Sequence, residues 1–302
     1  MIVCTDEVSQ KKRFGFGKNW QRFLEVLGEE RIAEAAKSLR TMLQVESFEG
    51  KSFLDIGSGS GLFSLAAMRL LASRVHSFDY DPQSVACGME LKRRYFPDAK
   101  AWTLEEGSVL DSSYLASLGQ FDIVYSWGVL HHTGNMWQAL ENVVQTVRPG
   151  GTLFIAIYND QGDLSRIWKA VKVRYLKSVA WRMIITPPFL AISMVRGLYS
   201  DLRQAKNPIH RYTDYKKRRG MSYWPDVLDW LGGYPFEYAK PEEIFDLYRK
   251  RGFVLVGLTT SGGKRGNNQY VFSRNLQFVT LASSLVQTER KVEEKVPLLE
   301  AS

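Results

Sequence analysis

A chain of 302 residues with 45% hydrophobic side chains can bury one large α/β domain with an appendage, or two modest domains. Its only cysteines, Cys4 and Cys87, make neither a disulfide framework nor paired metal-ligand spacing, and the N-terminal MIVCTDEVSQKKRFGFG lacks the three-part build of a secretory leader, so a reducing, cytoplasmic setting is expected. The net charge of +8 is local: about 14 Lys and Arg stand against Asp201 and Asp214 between Leu164 and Arg219, and the rest of the chain is slightly acidic.

In chain order, a mixed-charge helical stretch from about Trp20 to Leu43 precedes an alternation of short apolar runs with helical patterns, the sign of a parallel sheet. The strands are expected at Ser52 to Ile56, Arg74 to Asp79, Ala101 to Leu104, Phe121 to Ser126 and Thr152 to Tyr158, apolar throughout as strands covered on both faces should be. One helix is signposted by Asn135 as N-cap, with Gln138 completing a capping box and Pro149-Gly150-Gly151 ending it. The alternation stops at Gln161 and resumes at Lys240 with KPEEIFDLYRKRGF. Here Pro241 opens the helix, acids fill its first turn, bases fill its last and Gly252 follows. Two further strands, Phe253 to Thr259 and Gln269 to Ser273, flank a GGKRGNN turn. The run Met183 to Val195 is apolar but shorter than the roughly 20 residues a spanning helix needs, and Pro187 and Pro188 are expected to break it.

The first strand ends in FLDIGSGSGLFSLAA. Gly57, Gly59 and Gly61 permit a tight turn and a close backbone approach to a ligand. Asp55 before the first glycine, and Leu62 where a dinucleotide site has its third, oppose a pyrophosphate and suit a cationic ligand end. Asp79, some 20 residues on and at the end of the second strand, is placed to accept ribose hydroxyls. Ser108 and Val109, in EEGSVLD after the third strand, are candidate edges for an adenine ring. Together these describe a nucleoside without phosphates.

Those residues resemble the class I S-adenosylmethionine-dependent methyltransferases: DIGSGSG is similar to that family's first motif, FDYDP to its second, GSVLD to its third, FDIVYSWGVLHHTGN to its fourth and RPGGTLFIAIY to its fifth strand. The resemblance covers about residues 50 to 160 and 240 to 274. It implies an α/β, Rossmann-like sheet of seven mostly parallel strands, the last antiparallel, with helices on both faces and a mainly helical insertion after strand 5. The implied division is an N-terminal helical cap at 1–48, an S-adenosylmethionine-binding core at 49–160, a helical and aromatic substrate lid at 161–239, the end of the core at 240–275 and a tail at 276–302. The implied cofactor is S-adenosylmethionine, with Asp55, Gly57, Ser58, Gly59 and Gly61 in the turn, Asp79 and Tyr80 at the ribose, Ser108 and Val109 at the adenine, and Trp127 and Trp20 as further contacts.

Methyl transfer needs alignment and exclusion of water, and a base only where the acceptor must lose a proton. His131 and His132 follow the fourth strand, on the acceptor side in relatives. His132 is the preferred base, and bracing of the loop is the competing reading for both. Relatives that methylate quinone precursors carry acids in this loop where this chain has Gly128 and His131, which disfavours a metal. The absence of an Asn/Asp-Pro-Pro-aromatic tetrapeptide disfavours methylation of base amino groups.

The segment LSRIWKAVKVRYLK reads as a basic amphipathic helix with Leu164, Ile167, Trp168, Val171 and Tyr175 on its apolar stripe and Arg166, Lys169, Lys172 and Lys177 around the rest. With the apolar run that follows, residues 164–195 suit a peripheral membrane contact or a cover over a hydrophobic substrate. Arg211, Tyr215, Arg218 and Tyr223 are candidate substrate contacts in the aromatic part of the lid. The expectation is a methyltransferase of a small, amphipathic or aromatic molecule, at oxygen. Nitrogen or sulfur acceptors are the alternative within the same chemistry, and a basic RNA- or membrane-binding protein without turnover is the alternative outside it.

Overall fold

The computed structural model describes residues 24, 27–205, 207–213 and 230–275. Helix α1 (Glu29–Leu43) precedes β1 (Ser52–Ile56), α2 (Leu62–Arg69), β2 (Arg74–Asp79), α3 (Pro82–Tyr95), β3 (Trp102–Glu106), α4 (Ser112–Leu118) and β4 (Phe121–Trp127). A 3-10 turn at Leu130–His132 leads to α5 (Met136–Val144) and β5 (Val147–Tyr158). The insertion then supplies α6 (Asp163–Lys177), α7 (Val179–Arg203) and α8 (Pro208–Thr213), before α9 (Pro241–Lys250), β6 (Phe253–Thr259) and β7 (Asn267–Arg274). The seven strands lie in the order β3-β2-β1-β4-β5-β7-β6, with β7 antiparallel to both neighbours and the other pairings parallel.

The continuous apolar runs follow from burial on both faces. Phe53 and Leu54 are adjacent, both fully buried, and belong to different cores: Phe53 packs with Leu65, Val75, Trp102, Tyr125 and Phe154, and Leu54 with Val124, Leu140, Val143, Tyr248 and Phe272. Each such side chain contributes roughly 1.5–3 kcal/mol of hydrophobic stabilisation. The insertion has a small core of its own around Tyr175, Leu176, Phe189 and Leu231, where the Phe189 and Trp230 rings stack at 5.6 Å.

Three expectations change. The double proline does not end a helix: α7 runs through Pro187 and Pro188 for 25 residues and is long and apolar enough, by length and composition, to cross a bilayer. The apolar stripe assigned to α6 is rotated, because Leu164 and Ile167 are exposed while Lys172, assigned to the polar side, is fully buried. The capping box at Asn135 and Gln138 is absent as well. Asn135 makes no side-chain cap, and Gln138 Nε2 donates to Asn142 Oδ1 at 2.8 Å. The free donors at this helix start go to Glu237, whose carboxylate accepts from Gly134 N–H at 2.9 Å and from Met136 N–H at 3.1 Å.

A carboxylate cap supplied from 101 residues away is worth about 1–2 kcal/mol. Glu237→Ala is expected to lower the urea midpoint by that amount, with Glu237→Gln in between. An unchanged midpoint in both variants would remove the cap from the account of this helix.

Candidate cofactor and acceptor site

Chain order reverses between β1 and β4, which lie side by side while their crossovers run to opposite edges of the sheet. In open parallel sheets this reversal opens a crevice at the carboxyl ends of the two strands. The glycine turn stands there. Gly57, Gly59 and Gly61 have φ of +71°, +54° and +79°, a region that glycine alone enters without strain. A Cβ on Gly57 would lie 2.4 Å from Val129 Cγ1, so the turn is pressed against the loop that follows β4. Gly57 and Ser58 donate their N–H groups to the Phe78 carbonyl, tying the turn to the end of β2.

Asp79 stands at that end. Its Oδ2 accepts from Gly59 N–H and its Oδ1 from Asp81 N–H, each at 2.9 Å. The backbone thus fixes the orientation of this carboxylate at the crevice. The Ser58 hydroxyl is buried in the turn without a hydrogen-bond partner, the mark of a polar atom waiting for a ligand. Ser108 Oγ accepts from Leu110 N–H at 3.2 Å, Val109 is buried with its carbonyl bonded to Asn142, Tyr80 is half-buried, and Trp127 is exposed at the end of β4.

Asp55 is held differently from its neighbours. It is almost fully buried and ends a relay in which Trp102 Nε1 donates to Ser77 Oγ, Ser77 to Ser64 Oγ, and Ser64 to Asp55 Oδ2 at 2.5 Å. Burial pushes its carboxyl up to about 7, with the Ser64 hydrogen bonds pulling the other way and the charge of Asp79 adding to the rise. One of its oxygens therefore serves the interior.

The histidine loop is fastened by the segment Tyr234 to Ala239. His132 Nδ1 lies 2.6 Å from the Pro235 carbonyl, which can only accept, so Nδ1 carries a proton and, in the neutral form of the ring, the lone pair is on Nε2. Glu237 N–H donates to the His131 carbonyl at 3.0 Å. His131 itself has no exposed surface, and neither ring nitrogen meets hydrogen-bond geometry. Its ring lies 3.9 Å from Tyr158 and 4.5 Å from His132. Burial, then the neighbouring His132 and Lys172, hold its pKa well below the ordinary range against a weak pull from the Ala156 backbone, so the ring is neutral. Lys172 backs the same segment from α6. Its Nζ donates to the Trp230 carbonyl and lies 4.2 Å from the Trp230 ring centroid and 5.0 Å from that of Phe236. Burial and the nearby Arg265 push it down to about 7.

The structure thus brings Asp55, Gly57, Ser58, Gly59, Gly61, Asp79, Tyr80, Ser108, Val109 and Trp127 to consecutive strand ends, with His131 and His132 on the loop after β4. Trp20, Tyr215, Arg218 and Tyr223 lie outside the described residues, as does the side chain of Arg211, whose backbone belongs to α8. Sequence reasoning missed Glu237, Pro235, Tyr158 and the buried Lys172. A lysine within the helical pattern of α6 was visible, but its inward direction was not. Among the described residues no three His, Cys, Asp or Glu side chains are grouped to hold a metal ion.

The sheet order and the crevice define a Rossmann-like domain. Residues 54–153 match the profile of the methyltransferase domain. The tRNA U34 carboxymethyltransferase of Pseudomonas syringae pv. syringae (strain B728a) is 26% identical over 197 residues, 65% of this chain and 59% of that protein. The ubiquinone biosynthesis O-methyltransferase of Parvibaculum lavamentivorans is 32% identical over 121 residues, 38% of this chain and 43% of that one. This chain therefore covers less than two thirds of the length of either relative. Among solved structures, PKMT2 from Rickettsia typhi in complex with AdoHcy aligns with a TM-score of 0.52 at 14% identity, over 79% of this chain and 52% of that chain. Residues 54–153 thus carry a methyltransferase domain of the S-adenosylmethionine-dependent kind.

Two measurements test the site. Asp79→Ala removes the anchor of Gly59 and the carboxylate expected to meet the ribose, and calorimetry is expected to show S-adenosylmethionine affinity reduced by about 100-fold, the scale of two charge-assisted hydrogen bonds. For Asp55 the folded-state pKa of about 7 lies above the unfolded value, so the folded state holds the proton more tightly and stability falls as pH rises from about 4 to 7. Asp55→Asn cannot ionise. Its stability relative to the native chain should climb across that window and level off above it, by on the order of 2–4 kcal/mol. A pH-independent difference would show that Asp55 is already ionised in the folded state.

Proposed function

We propose that this chain transfers the methyl group of S-adenosylmethionine to a small, amphipathic or aromatic acceptor, at oxygen, with His132 as the general base. The observation that carries this reading is the Nδ1 contact of His132 with the Pro235 carbonyl, which directs the basic lone pair to Nε2 on a half-buried ring. The turn at Gly57 to Gly61 and Ser58 would hold the methionine part, Asp79 the ribose, and Ser108 with Val109 the adenine. When bound, the cofactor supplies a methyl group on a positively charged sulfur, a leaving group that needs no activation.

His132 Nε2 takes the acceptor's hydroxyl proton, and the Pro235 carbonyl stabilises the imidazolium through Nδ1–H before the proton passes to solvent. His131, neutral and packed on Tyr158, keeps the second ring in place. The loop and the insertion exclude water from the reacting atoms.

His132→Ala is expected to lower kcat/KM by about 100- to 1000-fold and to abolish the acidic limb of the pH–rate profile. His131→Ala should keep that limb and lose stability instead. Near-native turnover in His132→Ala would exclude the base and leave a nitrogen or sulfur acceptor, for which positioning suffices. A second reading takes tRNA as acceptor, favoured by the exposed basic side chains of α6 and by relatives named tRNA U34 carboxymethyltransferases. Labelled methyl from the cofactor appearing in total tRNA, and not in the low-mass metabolite fraction, would replace the small-molecule assignment.

A further inference from the structure

Helix α7 has two opposed faces. One, marked by buried Phe189, Gly197 and Asp201, packs on the insertion's own core, where Phe189 lies between Trp168 and Trp230. The other presents Ile184, Pro188, Ala191, Val195, Leu198 and Leu202 at alternating spacings of four and three, a single helical stripe with no polar member. All six are exposed, Ile184, Val195 and Leu202 by more than 60%. Aliphatic surface of this extent facing water marks an interaction site. Aromatic residues stand at its two ends, Trp181 and Tyr199, both exposed.

Charge identifies the occupant. Between Asp163 and Arg203 there are eight Lys and Arg and two acids, of which Asp201 is buried. Arg166, Lys169, Arg174 and Lys177 line an open groove of about 490 Å³ along α6, with Val173 and Tyr238 as its apolar wall. They share one face of α6, and Arg182, Arg196 and Arg203 continue the positive charge along α7. An aliphatic stripe with bases on the polar side of its own helix and along the preceding one, and with Trp and Tyr at its ends, is the pattern of a helix lying in the headgroup boundary of an anionic bilayer. RNA would use the bases and leave the aliphatic stripe in water.

The same helix fits the interface better than a crossing. One face is committed to protein through Phe189 and Asp201, and Pro187 and Pro188 cannot donate to the carbonyls of Met183 and Ile184, which would stay unpaired in hydrocarbon but are hydrated at the interface. We propose that α7 lies in the plane of an anionic lipid surface with its Ile184–Leu202 stripe in the acyl boundary and the α6 bases on the headgroups, holding the carboxyl edge of the sheet at the membrane. The inference does not depend on which acceptor is methylated, since binding is read without turnover.

The full chain should cosediment with vesicles of phosphatidylcholine plus phosphatidylglycerol at least about 10-fold better than with phosphatidylcholine alone. Lys169→Glu with Arg174→Glu, and separately Ile184→Asn with Val195→Asn, should each lower that binding by about 10-fold or more while circular dichroism and S-adenosylmethionine affinity stay unchanged. Four results would overturn the proposal: equal binding to both vesicles, loss with the charge reversals but not with the apolar changes, concentration-dependent self-association abolished by Val195→Asn, or retention on total tRNA in place of vesicles.

Discussion

Backbone N–H groups left over where parallel strands turn into helices are the constraint on which the site depends. A parallel sheet delivers each chain to its carboxyl edge with donors that no strand satisfies, and here carboxylates take them. Asp79 accepts from Gly59 and Asp81, Asp81 from Gln83, Asp111 from Tyr114, and Glu237 from Gly134 and Met136. The acids that hold the turns therefore define the crevice. At Asp79 one carboxylate ties the glycine turn to the start of the next helix.

The histidine loop shows how a chemical group acquires direction. Alone, two adjacent histidines have no preferred nitrogen. The Pro235 carbonyl assigns the proton of His132, the Glu237 backbone and side chain fasten the loop on both sides, and Tyr158 fills the space behind His131. The two rings end in different environments, one neutral and sealed, the other half-buried and hydrogen-bonded. Lys172, placed against Trp230 and Phe236, joins the insertion to this fastening segment, so the helices after β5 and the loop after β4 form one support.

Much of the core was legible because its signals are local. Apolar runs such as SFLDI and FDIVYSW, glycines at Gly57, Gly59 and Gly61, and an acid at Asp79 each state a requirement of their own stretch: burial on both faces, positive φ, or an acceptor at a strand end. The insertion was less legible because its helices pack on one another and on the segment after Trp230. Periodicity shows that α6 is amphipathic, but where its partner lies decides that Lys172 turns inward and Leu164 outward. In α7 the prolines suggested a break, yet the loss of two donors is tolerated in a helix anchored along one side by Phe189 and Gly197.

The sequence by itself determined the sheet, the glycine turn and the acid at the end of β2, since these follow from burial and backbone geometry within a few residues. Tertiary structure alone decided that Glu237, not Asn135, caps α5, that Asp55 answers to Ser64, that His132 carries its proton on Nδ1, and that α7 keeps an aliphatic face outward. The physical reason is common to all four. A polar or apolar group is defined by what it meets, and those partners are set by how the layers pack.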